Sequence, residues 1–314
     1  MKSEVNLIFM GTPEFALPSL KALLEENYQL KAVVTQPDRP RGRGGKIKVS
    51  PVKGEALKHG LKVLQPTSLD SNFLARLKSL KPDIIVVVAY GKILPPDILK
   101  IPPSGCINVH ASLLPRYRGA APVHRAIMNG EEITGVTTMY MEEGMDTGDI
   151  ILQEETKIDD NDTVGTLHDR LAEKGSKLLV KTLELVIEGK ALSRSQEEEK
   201  ASYAPPLKRE EELIDWEKSA AEIFNKIRGM NPWPGAYTFW KNKRLKIWSS
   251  RIVDQEGLYN PGEIVKVDQE GILVGTGKGA LLITDVQVSG GRRMRAGEFI
   301  RGKDIGAGEV LEGR

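Results

Sequence analysis

Along residues 1–150, short wholly apolar runs alternate with stretches whose apolar positions recur three and four apart. NLIFM (6–10) is closed by Gly11-Thr12-Pro13 and fits a strand buried on both faces that runs into a turn. PEFALPSLKALLEEN follows with helical spacing, and Pro13 suits a first helical turn. KAVVT (31–35) predicts a second strand. SPVKGEALKHG (50–60) predicts a short helix with Ser50 as N-cap and Gly60 as its stop. DIIVVVAYG (83–91) and CINVH (106–110) read as two more buried strands, and GVTTMYM (135–141) and GDIILQEE (148–155) as later ones. Strands buried on both faces and separated by helices predict an α/β domain with a doubly wound parallel sheet. A helical pattern over 163–189, with Leu167, Leu171, Leu178, Leu179, Leu183, Val186 and Ile187 on its apolar face, closes this unit.

The texture then changes. Residues 190–212 hold the acidic run Glu197–Glu199, Ala204-Pro205-Pro206 and the block KREEE, which is linker composition. Beyond a helix at about 217–230, the apolar runs RLKIWSS, GEIVKV, GILVGTG and ALLITDVQV recur every ten residues or so, broken by Gly, Asn and Pro. That spacing predicts a small antiparallel barrel or sandwich, with Phe239 and Trp248 in its core. The expected divisions are a domain at 1–189, a linker at 190–208 and a smaller domain at 209–314.

Composition alters this picture little. Of 314 residues, 40% are hydrophobic and 28% charged, the balance of a globular protein. The longest apolar run, IIVVVA, is too short to span a bilayer, and Gly11 and Pro13 interrupt the first segment before a signal-peptide core forms. Cys106 stands alone, which excludes an intrachain disulfide and fits a reducing, cytoplasmic compartment. Charge is more informative. After Glu222 there are fifteen Lys and Arg against ten Asp and Glu, whereas residues 1–222 hold thirty against thirty-three. The C-terminal part thus suits a polyanionic partner.

Open α/β sheets bind ligands beyond the carboxyl ends of their strands. Gly11-Thr12-Pro13, Ala89-Tyr90-Gly91, His110 and Asp146-Thr147-Gly148 all fall there. Neither GxGxxG nor GxxxxGK[ST] is present, so a dinucleotide or nucleoside triphosphate site lacks its main support. His59 and His168 lie in helical patterns among charged residues, and His124 is ambiguous. No histidine pair has metal-ligand spacing, and no metal is expected. Alternation puts Asn108 and His110 on one face of their strand, an amide and an imidazole placed to stabilise an oxyanion. On these two residues alone, a turn-capping amide and a satisfied core histidine explain the pattern slightly better. An Asp-Thr-Gly loop alone is likewise more often a turn than a catalyst.

The stretch CINVHASLLPRYRGAAP (106–122) resembles the signature of the folate-dependent formyltransferases, Asn-x-His-x-Ser-Leu-Leu-Pro, and DTG (146–148) resembles their catalytic aspartate loop. MGTPEFA, TQPDRPRGRGGK, VVAYGKILP and NPWPGAYT extend the likeness over the whole chain, toward members whose acceptor is a charged initiator tRNA. The resemblance implies a Rossmann-like catalytic domain and an OB-like C-terminal β-barrel. It implies 10-formyltetrahydrofolate as formyl donor and initiator methionyl-tRNA as acceptor, with a monomer as the expected working unit and no membrane partner. It assigns catalysis to Asn108, His110 and Asp146, and the folate pocket to Ser112, Leu113, Leu114 and Pro115, with Tyr90, Gly91, Ile93 and Leu94 as a second wall. It makes tRNA contacts of Arg41, Arg43, Lys46 and Lys48 in the basic loop, with Arg43 entering the acceptor stem, and of Lys241, Lys243, Arg244 and Lys246 in the C-terminal domain. Arg39 to Lys53 hold three arginines and three lysines without an acid, which by itself reads as a solvated loop. Between Glu222 and Asp254 basic residues interleave with Trp233, Tyr237, Phe239, Trp240 and Trp248, a pattern suited to phosphate contact and base stacking. A formyltetrahydrofolate hydrolase, an amino-sugar nucleotide formyltransferase and a non-catalytic RNA-binding protein are the competing readings. Neither of the first two needs a basic grip at 39–53.

Overall fold

The computed structural model describes residues 4–41, 46–253, 257 and 259–313. Strands β1 (Asn6–Gly11), β2 (Gln29–Val34), β5 (Val63–Leu64), β6 (Ile84–Val88), β7 (Cys106–His110), β8 (Ile133–Tyr140) and β9 (Ile150–Lys157) form one seven-stranded sheet; a separate two-stranded hairpin pairs β3 (Arg39–Arg41) with β4 (Lys46–Lys48). The order in the large sheet is β5-β2-β1-β6-β7-β8-β9. Its first five strands are mutually parallel. The apolar runs explain this directly: all five residues of β6 are buried, as a strand covered on both faces requires.

Two further strands depart from a wholly parallel sheet. Strand β8 runs antiparallel to β7, and β9 antiparallel to β8. Residues 141–149 between β8 and β9 are too few for a parallel crossover, which needs about a dozen residues or more. Among the helices, α1 (Leu17–Glu25) follows a single 3-10 turn and α2 (Pro51–Lys58) begins at Ser50, whose hydroxyl accepts from Lys53 N at 3.1 Å. Helix α3 (Ser71–Ser79) is capped by Asp70, which accepts from Phe73 N at 3.0 Å; it is not among the predicted elements, although Phe73, Leu74, Leu77 and Leu80 recur at helical spacing. Its buried face is only Phe73 and Leu77. Helix α4 (Pro96–Leu99) is one turn, α5 (Pro122–Met128) two, and α6 (Val164–Ile187) six to seven. Gly175 of α6 stands where a Cβ would come within 2.9 Å of Val109, and Thr182 bonds Thr138 at 2.7 Å, so this helix lies close over β7 and β8.

The chain divides into two compact units. One comprises residues 1–120, 133–157 and 168–204; the other comprises 121–132, 158–167 and 205–314. The second unit is built on an antiparallel sheet of β10 (Tyr237–Trp240), β11 (Lys243–Val253), β12 (Ile264–Val267), β13 (Ile272–Gly275) and β14 (Ala280–Val288), in the order β10-β11-β14-β13-β12, with β15 (Met294–Arg295) beside β14. Helices α7 (Ala220–Gly229) and α8 (Ala296–Arg301) cover its core of Trp216, Ile223, Ile227, Trp240, Leu245, Ile247, Leu281, Ile283 and Phe299. Trp248 and Phe239, expected inside, are half-buried instead. Leu245 and Ile247 take the inward face of β11, so strand alternation turns Lys246 and Trp248 to the other.

Candidate active site

The chain reverses its direction of travel across the sheet between β1 and β6, the switch point where open α/β sheets leave a crevice. The carboxyl ends of β1, β6 and β7 meet there. Parallel pairing sets Asn108 of β7 beside Val87 of β6, so the loop after β6 emerges next to the candidate site. On β7, Asn108 and His110 share a face and both reach toward one carboxylate. Asn108 Nδ2 lies 3.5 Å from Asp146 Oδ1, and His110 Nδ1 lies 3.6 Å from Asp146 Oδ2. These separations are longer than good hydrogen bonds, and they bring amide, imidazole and carboxylate to one place. The firm bond to the carboxylate comes from Gly119 N at 2.8 Å.

His110 is buried, and its Nε2 lies 2.9 Å from the Tyr117 carbonyl oxygen. A carbonyl only accepts, so Nε2 carries a hydrogen and donates. That leaves Nδ1 as the ring atom facing Asp146 and available for proton exchange. Tyr117, which sequence reasoning did not single out, thereby fixes the tautomer and the ring plane. Its backbone is left-handed, with φ 61°, as is that of Asp146, with φ 54°.

The Ser112–Pro115 segment is held by a buried hydroxyl. Thr137 Oγ1 donates to Ser112 O at 2.7 Å and accepts from Leu114 N at 3.2 Å and Gln153 Nε2 at 2.9 Å. Ser112 and Leu114 are buried, Leu113 and Pro115 half-buried. The other expected wall divides. Gly91 is exposed with φ 84°, and Ile93 is 77% exposed, whereas Leu94 and Tyr90 sink into the core formed with Ile8, Val87 and Ile98. Tyr90 lends its backbone, since its carbonyl accepts from Thr12 Oγ1 at 3.1 Å and Gln36 Nε2 at 3.2 Å. Burial pushes its phenol up to about 12. The exposed Ala89 and Gly91 backbone and Ile93 therefore offer hydrogen-bonding groups and an apolar surface that fit a flat heterocycle.

A polar cleft of about 690 Å3 opens beside the Asp146 loop, lined by Arg118, Glu142, Glu143, Thr147, Asp149, Ser195, Gln196 and Glu198. Arg118 is 1% exposed and bonds Gln196 and Glu198. The Arg118 hydrogen bonds hold the Glu198 carboxyl below its ordinary range. No local pattern pointed to Arg118 or Gln196, because they meet across 78 residues of chain.

The basic residues are dispersed. Arg43 lies outside the described residues, and Arg41 and Lys46 are placed by backbone alone, in the β3–β4 hairpin. Lys48 is exposed. In the second unit Arg244 lies 3.9 Å over the Tyr237 ring, and Lys243 is exposed. Lys241 is engaged by Glu309 at 3.2 Å, and Lys246 donates to Pro234 O while lying 5.2 Å over Trp248. Among the described residues no three His, Cys, Asp or Glu side chains gather as metal ligands.

Comparison with known proteins fits this geometry. Residues 4–183 match the formyl transferase family, and residues 206–304 match the formyl transferase C-terminal domain. The chain belongs to the formyl transferase family. It is 55% identical to the methionyl-tRNA formyltransferase of Pelotomaculum thermopropionicum, covering 98% of each chain. It is 49% identical to that of Bacillus subtilis, covering 98% of this chain and 97% of the relative. The fold is similar to that of an N-formyltransferase from Helicobacter canadensis solved with folinic acid and dTDP-3-aminofucose. That match has a TM-score of 0.69 at 23% identity and covers 89% of this chain and 98% of the other. The Rossmann-like sheet and the curled C-terminal sheet are thus those of a formyl transferase, and no helix among the described residues is long and apolar enough to cross a membrane.

Proposed function

We propose that this formyl transferase moves the formyl group of 10-formyltetrahydrofolate to the α-amino group of methionyl initiator tRNA. The observation that carries the mechanism is the single Asp146 carboxylate spanning Asn108 and His110, at 3.5 and 3.6 Å. The extent and identity of the match to methionyl-tRNA formyltransferases support the choice of acceptor.

The folate donor supplies a formyl carbon for attack by the amine and a nitrogen that leaves with a proton. An α-amino group titrates near ~8, so a useful fraction is neutral at cytoplasmic pH without a strong base. The enzyme's task is then charge and proton placement. Asn108 Nδ2 donates to the oxygen that becomes negative on attack. His110 has Nε2–H committed to Tyr117 O, so Nδ1 takes the proton that the attacking amine releases as its bond to the formyl carbon forms. As imidazolium it donates that proton toward the oxygen, and passes it to the folate nitrogen as the bond from that nitrogen to the formyl carbon breaks. Asp146, anchored by Gly119 N, orients the ring and balances the charge on it. Ser112–Pro115, Gly91 and Ile93 take the folate ring. The 39–53 loop, with Arg43, and the Lys243–Arg244 face of the second unit take the tRNA, where Arg244 over Tyr237 makes a cationic, flat surface. One chain working in the cytoplasm completes this reading, in keeping with the lone, buried Cys106.

The test is incubation of the protein with 10-formyltetrahydrofolate and charged initiator tRNA, followed by analysis for formylmethionyl-tRNA. Stoichiometric product is expected. Preferential transfer to an amino-sugar nucleotide, or release of formate with the tRNA unmodified, would overturn the assignment.

A further inference from the structure

The residues between the two matched family regions, 184–205, include a strap that touches both loops of the catalytic centre. At one end Ile150 and Arg194 exchange backbone hydrogen bonds, and Ser195 Oγ bonds Asp149 at 3.0 Å. At the other, Arg118 N donates to Ser202 O at 2.8 Å and Ala204 N to Arg118 O at 2.7 Å. Tyr117 N, next to the carbonyl that holds His110, donates to Ser202 Oγ at 2.9 Å.

Between these ends lies Gln196. Its Nε2 donates to Asp146 O and to Gly148 O, both at 2.8 Å. Its Oε1 accepts from Arg118 Nε at 3.1 Å and Nη2 at 3.0 Å. All the amide's hydrogen-bonding capacity on these faces is used, and the arrangement fixes which end is which. A flipped amide would set NH2 against a guanidinium that only donates, and oxygen against two carbonyls that only accept. Arg118 is fully buried apart from 1%, so the fork that aims Gln196 is rigid. The carbonyl it grips belongs to a residue in the left-handed region, with φ 54°, which aspartate adopts more readily than most residues with a side chain but still at some cost.

We propose that Gln196, aimed by Arg118, is a positioning residue for the formyl transfer: it clamps the Asp146–Gly148 turn so that the Asp146 carboxylate stays between Asn108 and His110. This rests on the catalytic reading of Asp146. A substrate is bound without the clamp, but the carboxylate is then off register. A 1 Å error of this kind costs about a hundredfold in rate.

The test replaces Gln196 by glutamate, which keeps the length and the Arg118 contact but presents acceptors to two carbonyls, and by asparagine, which withdraws the amide by one methylene. Steady-state kinetics with both substrates, thermal melting and the combination with Asp146→Asn are measured. Gln196→Glu is expected to lower kcat tenfold to a hundredfold with both KM values within twofold of wild type. In the Asp146→Asn background it is expected to cost less than threefold further. If Asp146→Asn alone retains wild-type kcat, the catalytic reading of Asp146 is at fault. If Asp146→Asn abolishes turnover while both Gln196 variants keep kcat within twofold, only the positioning role is refuted. Variants that melt below the assay temperature, or lose rate through KM alone, would make Gln196 a structural tie and overturn the proposal as well.

Discussion

Gly148 gives the sharpest prediction, because the space around it is measurable. A Cβ placed on Gly148 would lie 1.9 Å from the Tyr140 carbonyl oxygen, where real Cβ atoms stay about 3.0 Å from any neighbour. The obstacle is backbone at the end of β8, which is pinned because Tyr140 N donates to Asp149 O at 3.0 Å. The turn must therefore retreat by about 1 Å, carrying Asp146 with it. On the scale of about a hundredfold per ångström of misplacement, kcat for Gly148→Ala falls about a hundredfold, or ~2.7 kcal/mol in barrier. The fold suffers less. Overpacking costs about 1–3 kcal/mol, so Tm drops by a few degrees. Initial rates of formyl transfer to charged initiator tRNA at saturating donor, with melting curves, measure both. Gly60→Ala is the control: it too has positive φ, 65°, but no atom within 4 Å of the added Cβ, and it is expected to lose stability slightly and activity not at all. A Gly148→Ala enzyme with kcat within threefold of wild type would refute the claim that this turn sets the rate.

Asn108→Ala and His110→Ala are expected to remove formyl transfer while tRNA binding persists; turnover at wild-type rates in either would refute their roles. Arg244→Ala is expected to weaken tRNA binding and to reduce the slope of log affinity against log salt by about one, as loss of one phosphate contact does; an unchanged slope in a filter-binding titration would exclude it from the tRNA face. Burial pushes the Cys106 thiol from 9.0 up to about 12. Because the folded value is raised above the unfolded one, the thiol's contribution to stability is complete below pH 9 and is lost as pH climbs toward 12. Iodoacetamide is therefore expected to leave the native protein unlabelled at pH 8 and to label it on denaturation; rapid native labelling would contradict that burial.

Most of the parallel sheet was legible because its strands are buried on both faces and leave continuous apolar runs, as in IIVVV of β6. The antiparallel return was not: the connection from β7 to β8 contains helix α5 and is long enough for a parallel crossover, so neither the run nor the connection marks the reversal there. Only the short 141–149 link dictates that β9 turns back on β8. Helix α3 was legible too, since Asp70 caps a stretch in which Phe73, Leu74, Leu77 and Leu80 recur at helical spacing, although it is not among the predicted elements. In the site, alternation along β7 sufficed to pair Asn108 with His110. The partners that orient them come from 7, 27 and 50 residues away, as the bonds of Tyr117 to His110, Gly119 to Asp146 and Gln196 to Asp146 show. Contacts of that kind leave no periodic trace. Tyr90 illustrates the converse: a motif can point to the correct loop while its most conspicuous side chain turns into the core.

The catalytic strand is the rigid part of this centre, and the precision of the rest depends on three loop residues in the left-handed region: Ala89, Tyr117 and Asp146, with φ 47°, 61° and 54°. Each conformation costs about 1–2 kcal/mol for a residue with a side chain. Each is matched by donors that claim a carbonyl at or beside it. Thr12 and Gln36 hold Tyr90 O, next to Ala89, while His110 itself holds Tyr117 O and Gln196 holds Asp146 O. Thr12, Gln36 and Gln196 come from 78, 54 and 50 residues away and His110 from the strand seven residues before Tyr117, so none of these turns is held by its own residues alone. The catalytic geometry is therefore a property of the assembled unit: His110 is not only positioned by Tyr117 but also holds Tyr117 in the conformation that positions it.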